Sequence, residues 1–344
     1  MHDISDFRSD AVTRPTKAMY DAMMNAPLGD DIFGDDPTVK KLEKLAATKL
    51  GKEASLFVPS GVMANQIAIK MHTRPGDELI CDDLAHVFNF ETGATAALAG
   101  VQVRTVPSKR GMPALADVLR AVQSPVDYHP RTGLLVLENT HNFHGGSVLP
   151  QADVVEMCRV VHDVGLPCHL DGARLANASV ASGTSMAELA APFDSVTLTL
   201  SKGLGSPVGS MLAGSRAFID EARRLRKMRG GGMRQVGILA ACGIVSLETM
   251  IARLADDHAN CKRLAEGLGN IKGVEVVLPV ETNILFFRIP GKEQRFEAIG
   301  KELTKRGVLA IAGGGKWRMV THYDVDKDDI DKAIKVWAEV LKQA

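Results

Sequence analysis

The chain has 344 residues, 45% of them hydrophobic and 24% charged, with 41 Lys plus Arg against 41 Asp plus Glu. That length exceeds one simple core, so two domains are expected. The zero net charge, with no basic stripe, argues against nucleic acid and membrane-surface partners.

In chain order, residues 37–50 carry apolar residues at helical spacing and stop at Gly51, a natural helix C-terminal glycine. A short buried strand over 54–58 precedes a helix over 61–71, and strands are expected over 77–81 and 101–106. The run GLLVLE at 133–138 is continuously apolar up to its last residue, as in a parallel sheet covered on both faces. A helix over 152–164 follows, then strands over 167–171, 194–200 and 209–213. This β/α alternation predicts a doubly wound sheet with its ligand site at the carboxyl ends of the strands. After Gly230-Gly-Gly232 the texture changes: 235–267 reads as long and helical, interrupted only weakly. Strands over 274–278 and 283–289, a helix over 295–306, strands over 308–312 and 317–321 and a helix from Lys327 then form a smaller α+β unit. The domains expected are an N-terminal arm over 1–14, a large domain over 15–247 and a small one over 248–344.

The five cysteines (Cys81, Cys158, Cys168, Cys242, Cys261) form no CxxC pair and no metal-like cluster, which reads as buried thiols in a reducing compartment. The opening MHDISDFRSD is polar and acidic, without the features of a leader. The longest nearly apolar stretch, 237–247, falls short of the roughly 20 residues of a membrane span. The expected location is cytoplasmic, and no metal is expected.

Three segments carry chemistry. Ser201-Lys202-Gly203 directly follows the strand VTLTL, and a lysine at such a strand end is where an aldehyde cofactor would be tethered. The bland alternative is a solvated surface lysine. Asp171, in HLDGAR, stands 31 residues earlier at another strand end. Its carboxylate could pair with a pyridinium nitrogen and keep the ring an electron sink; otherwise it merely caps the next helix. Ser60-Gly61-Val62 opens a helix after a strand, where backbone N–H groups and the helix dipole suit a phosphate. The stretch KMRGGGMRQ at 227–235 could add phosphate contacts, or serve as a hinge with solvated charges. His86 and His129 lie beside expected loops, and spacing alone assigns neither a role.

Together these pieces resemble the L-threonine aldolases, low-specificity and L-allo types, within the aspartate-aminotransferase-like enzymes that use pyridoxal phosphate (fold type I). FRSDAVTRP (7–15), GDDIFGDDP (29–37), PSGVMANQ (59–66), ENTHN (138–142), HLDGAR (169–174), TLSKGLGSPVGSMLAG (199–214), GGGMRQ (230–235) and RMVTHYDV (318–325) carry the resemblance in order. It implies a large, mixed, mostly parallel α/β sheet domain with a small C-terminal α+β domain. It implies a lyase that splits L-threonine, L-allo-threonine and related β-hydroxy amino acids into glycine and an aldehyde. Another pyridoxal phosphate reaction on the same fold, such as β-elimination, is the alternative. Lys202 would form the Schiff base, Asp171 would hold the ring nitrogen and His86 would stack on the ring. Ser60, Gly61, Val62 and Ser201 would bind the phosphate, with Lys227 and Arg234 reaching in from a neighbouring subunit of a homotetramer built from tight dimers. Ser9, Arg174 and Arg318 would grip the substrate carboxylate, Arg174 lying close to the cofactor as well. His86 and His129 would sit near the β-hydroxyl. Val62 stands where the family often has threonine, which removes one hydroxyl from the phosphate set, and Ala11 likewise replaces a usual threonine.

Overall fold

The apolar runs of the first two thirds of the chain pair into one sheet. The computed structural model describes residues 4–277 and 279–343. Seven strands lie in the order Ala54–Val58, Ser210–Gly214, Ser195–Thr199, Cys168–Asp171, Thr132–Glu138, Glu78–Asp82 and Gln102–Val106. Ser210–Gly214 is antiparallel to both neighbours, and the remaining pairs are parallel. Every strand except the Gln102–Val106 edge is buried along its length, as expected where helical crossovers cover both faces.

Strand order and register position the site. Ser210 stands opposite both Val58 and Thr199, which brings the carboxyl ends of Ala54–Val58 and Ser195–Thr199 to one edge. Glu138 stands opposite Asp171, and Asp171 opposite Thr197. The segments that leave these strand ends therefore share one crevice.

Beyond it, Glu275–Val276, Ile284–Arg288, Lys316–Val320 and Ile311–Gly313 form a four-stranded antiparallel sheet. The closing helix Lys327–Gln343 buries Ile330, Ala333, Trp337, Val340 and Leu341, an apolar stripe at helical spacing. Trp337 meets Trp317 and Phe287 edge-on at 4.9 and 5.0 Å. The arm is not a loose end. Ser5–Asp6 pairs in parallel with Val308–Leu309, and Phe7 is fully buried in the core of this smaller sheet.

Three expectations change. The long helix over 235–267 is two helices, Gly237–Val245 and Leu254–Gly269, meeting at 69°. The bend falls at residues 251–253, after a widened last turn of the first helix at Ser246–Met250, in which Ser246 donates to the Leu204 carbonyl two residues beyond Lys202. The strand over 308–312 divides because Val308–Leu309 pairs with the N-terminal segment while Ile311–Gly313 joins the small sheet. The strand over 274–278 shortens to Glu275–Val276, and Leu278 lies outside the described residues, as do residues 1–3 and 344. Among the described residues no single helix is long and apolar enough to cross a membrane.

Candidate active site

Lys202 and Asp171 line one cavity at the carboxyl edge of the large sheet, together with Ser60, Gly61, Val62, His86, Glu138, Arg174 and Ser201. The strand Ser195–Thr199 ends three residues before Lys202, and Thr13 fixes the turn by donating to the Lys202 carbonyl at 2.9 Å. The cavity, ≈180 Å³, is not the largest hollow. An open groove of ≈770 Å³ beside Arg110, Met112 and Leu115 is wider. Arg110 there is ion-paired with Glu281 on the surface, and the groove lacks the smaller cavity's convergence of buried titratable groups.

One end of the cavity suits a phosphate. Ser60 caps the helix Gly61–His72 and accepts from Met63 N at 3.2 Å. The Ala64 N–H goes to the Ser60 carbonyl, so the Gly61 and Val62 N–H groups are the donors the helix leaves open. A Cβ on Gly61 would come within 2.9 Å of Thr199 Oγ1, so glycine keeps the cradle clear.

At the other end Asp171, 3% exposed, accepts from Asn65 Nδ2 at 2.8 Å and from Ala173 N at 3.1 Å. Burial opposes its charge, yet His86, Lys202 and Asn65 hold its carboxyl below the ordinary value. His86 donates its backbone N–H to Glu138 at 2.8 Å, and its Nδ1 lies 3.0 Å from Glu91 Oε1. Burial works against a protonated His86, but Glu91 and Asp171 raise its pKa. Burial, reinforced by the charge of Arg174, pushes the Lys202 amine down to about 8, against the pull of Asp10, Asp171 and Glu138. Open N–H groups at a helix start, a buried lysine and a buried carboxylate around one cavity thus fit pyridoxal phosphate.

Arg174 is buried and gripped by Asp10, with Nε to Oδ2 at 2.8 Å and Nη2 to Oδ1 at 2.6 Å. Asn142 Oδ1 accepts from Arg174 Nη1 at 3.3 Å and from Arg318 Nη2 at 2.8 Å, so one amide oxygen bridges the two guanidiniums. Arg318 reaches across from the small sheet, and burial with the neighbouring Arg174 charge lowers its pKa to about 10. Ser9 accepts from Ala11 N at 3.2 Å at the head of a short turn, next to Asp10.

Other expected residues stay apart within one chain. His129 is exposed on a loop, its Nδ1 3.1 Å from Ser124 Oγ. Lys227 is exposed at the end of Arg216–Met228, and Arg234 pairs with Asp30 at 2.9 Å over the ring of Phe33. None of the three lines the cavity. His144, outside the cavity as well, lies against Ser108 and Asp82, beside His141. Sequence reasoning missed Asp10, Asn65, Glu91, Glu138 and Asn142 as site residues. Asn65 carried a signal, being one of two adjacent amides, with Gln66, in the otherwise apolar run 62–69 of the helix.

A profile of the beta-eliminating lyases matches residues 6–290. The low specificity L-threonine aldolase of Escherichia coli strain K12 is 44% identical, the match covering 98% of this chain and 99% of that one. Low-specificity L-threonine aldolase 1 of Arabidopsis thaliana is 40% identical over 98% and 96%. A structure of Leishmania major threonine aldolase, 22% identical, superposes with a TM-score of 0.84 over 98% of this chain and 99% of that one. With the site's geometry, these likenesses make the chain a member of the beta-eliminating lyase family, on its L-threonine aldolase branch.

Proposed function

We infer that the protein cleaves the Cα–Cβ bond of L-threonine, L-allo-threonine and related L-β-hydroxy-α-amino acids, giving glycine and an aldehyde. The observation that carries this reading is that Lys202 and Asp171 face one cavity, with two guanidiniums joined through Asn142 beside it. Pyridoxal phosphate is the cofactor, and when bound it supplies an electron sink conjugated to the substrate Cα.

The chain's own groups do the rest. With its pKa near 8, Lys202 has roughly 300-fold more neutral amine at pH 7 than an ordinary lysine, which favours covalent capture of the aldehyde. Asp171 would hold the proton on the ring nitrogen, and His86 would lie against the ring face. The Gly61 and Val62 N–H groups, with Ser60 and Ser201, would take the phosphate. Lys227 and Arg234 would add to it from a neighbouring subunit. Arg174, Arg318 and Ser9 would fix the substrate carboxylate, and Arg318 Nε, buried without a partner among the described residues, is a donor ready for it. A carboxylate held there orients the Cα–Cβ bond for cleavage. With its Nδ1–H given to Glu91, His86 keeps Nε2 as an acceptor for the β-hydroxyl proton, directly or through a water. His129 would approach that hydroxyl from a neighbouring subunit, since its own chain leaves it outside the cavity.

This reading carries a cytoplasmic homotetramer, a dimer of dimers with shared active sites, and a division between large and small domains at residues 247–248. The experiment is Lys202→Ala. Loss of the visible absorbance band with added pyridoxal phosphate, and of glycine and acetaldehyde release from L-threonine, is expected. Retention of both, or release of ammonia and a 2-oxo acid by the unsubstituted enzyme, overturns the assignment.

A further inference from the structure

A helix that packs on the middle of a sheet ordinarily does so with apolar side chains, but one face of Gly61–His72 does not. Asn65 and His72 lie two turns apart on it and meet His169, Asp171 and Ser195 of two adjacent strands. Asn65 Nδ2 donates to Asp171 Oδ2 at 2.8 Å and to Glu91 Oε1 at 2.9 Å. Asn65 Oδ1 is 3.2 Å from His169 Nε2. His169 Nδ1 is 2.8 Å from Ser195 Oγ, which is 2.8 Å from His72 Nε2. Asn65, Asp171, His169 and Ser195 are all at most 3% exposed. His72 is the half-buried outer end and stacks on Phe218 at 5.0 Å.

The direction of every bond is forced. Two carboxylates flank the Asn65 amide nitrogen, so both its protons are committed and its oxygen can only accept. His169 must then carry a proton on Nε2. Burial keeps both histidines neutral, lowering His169 to about 3 and His72 to about 4. A neutral His169 protonated on Nε2 has a bare Nδ1, which must accept from the Ser195 hydroxyl. The Ser195 oxygen in turn accepts from His72, so His72 also carries its proton on Nε2. Each dipole points its positive end at Asp171, and aligned hydrogen bonds strengthen one another in a low-dielectric interior.

We propose that His72, Ser195 and His169 are positioning residues that, through Asn65, hold Asp171 as a carboxylate, so that the protonation of the cofactor's ring nitrogen is set partly from the far end of this line. The proposal rests on the reading of Asp171 as the ring-nitrogen partner. A weaker hold on Asp171 lets the ring proton shift toward it. The ring then withdraws less charge from the Lys202 linkage, whose own titration moves to higher pH.

The test uses the cofactor-loaded protein. In the unsubstituted protein, ¹⁵N imidazole resonances should show His72 and His169 both neutral and protonated on Nε2. A His169 protonated on Nδ1 overturns the proposal without any variant having to fold. In Ser195→Ala and His72→Phe, the pH midpoint of the visible band should rise by about half a unit, with cofactor affinity about threefold weaker. His72→Gln, which restores an amide donor, should bring both back toward the parent. Unmoved midpoints in Ser195→Ala and His72→Phe, with Asp171→Asn strongly shifted, overturn the line and leave the site reading standing. An unshifted band in Asp171→Asn overturns the site reading itself.

Discussion

Asp10→Asn keeps the shape of a side chain that is 0% exposed and removes its charge from beside Arg174, itself 6% exposed. Asparagine can replace only one of the two charge-assisted bonds that Asp10 accepts from the guanidinium, at 2.6 and 2.8 Å, and it also disturbs the bond from Asn283 Nδ2 at 3.1 Å. Breaking a buried ion pair by removing one partner costs about 3–5 kcal/mol. The nearby charges of Glu138 and Asp171 soften the loss for Arg174, so the lower end, about 3 kcal/mol, is expected. With a urea slope of about 3 kcal/mol per molar for a chain of this size, the unfolding midpoint should fall by about 1 M. Although burial opposes its ionisation, Arg174 holds Asp10 well below the ordinary carboxylate range. A carboxyl lowered on folding contributes stability above its unfolded pKa, near 3.8, and loses it only as pH falls below that. The deficit of the variant should therefore be the same at pH 6 and pH 8. Equilibrium urea unfolding of the cofactor-free protein, followed by circular dichroism, measures this. Glycine should restore part of the loss, because its carboxylate supplies the missing counter-charge. A midpoint within about 0.2 M of the parent at both pH values would refute the claim that Asp10 holds Arg174 in place.

Arg318→Ala should raise KM for L-threonine by about tenfold to a hundredfold while leaving cofactor affinity unchanged, since it removes a charged hydrogen-bond donor from the carboxylate site alone; steady-state kinetics and a cofactor titration separate the two. The rate at which cofactor-free protein captures pyridoxal phosphate should climb with pH through a midpoint near 8, the lowered pKa of Lys202, and a midpoint near 10 would contradict the burial argument. Burial lowers His72, His169 and His258 to about 4, 3 and 4, so their neutral forms contribute stability present above pH 6.5 and lost progressively as pH falls toward 4. His86 and His141, raised on folding, act in the opposite sense. Asp257, raised to about 6 by burial, also acts in that opposite sense, but with three large histidine shifts on the other side the urea midpoint should be lower at pH 5 than at pH 7.5, and a higher one would show the balance to be wrong.

How far the sequence discloses this arrangement depends on the range of the forces involved. The strands of the large sheet are read within a residue or two because each is a short apolar run whose burial needs no particular partner. The bend at residues 251–253 was not legible, and the widened turn before it is fixed through Ser246 to Leu204 and Ser206, some 40 positions away. Phe7 falls in the expected N-terminal arm, and only the distant strand Val308–Leu309 makes it a core residue. The same division runs through the site. Lys202, Asp171 and Gly61 announce themselves by standing at the ends of strands or the start of a helix. Asp10 and Asn142 gain their meaning from arginines 164 and 176 positions away, and nothing local distinguishes them from capping or surface residues.

On the proposed reading, those distant pairings bear on how the site would select amino acids. Lys202, Arg174 and Arg318 face Asp10, Asp171 and Glu138, so the free site is close to neutral. The two guanidiniums nevertheless sit close enough that Arg174 lowers the pKa of Arg318. Asp10 is hydrogen-bonded to Arg174, and among the described residues Arg318 donates to neutral acceptors, the Asn142 amide and the Arg8 carbonyl, with Asp10 supporting its charge only through space. Burial and the Arg174 charge therefore outweigh the support that Asp10 gives the Arg318 charge. On the proposed reading, an α-carboxylate would relieve that repulsion and take the donor at Nε, which is buried without a partner among the described residues. A simple amine leaves both in place, even if it reaches Lys202. Selection for a carboxylate would then rest, on the proposed reading, on the repulsion between Arg318, on a strand of the small sheet, and Arg174, just beyond the large-sheet strand Cys168–Asp171.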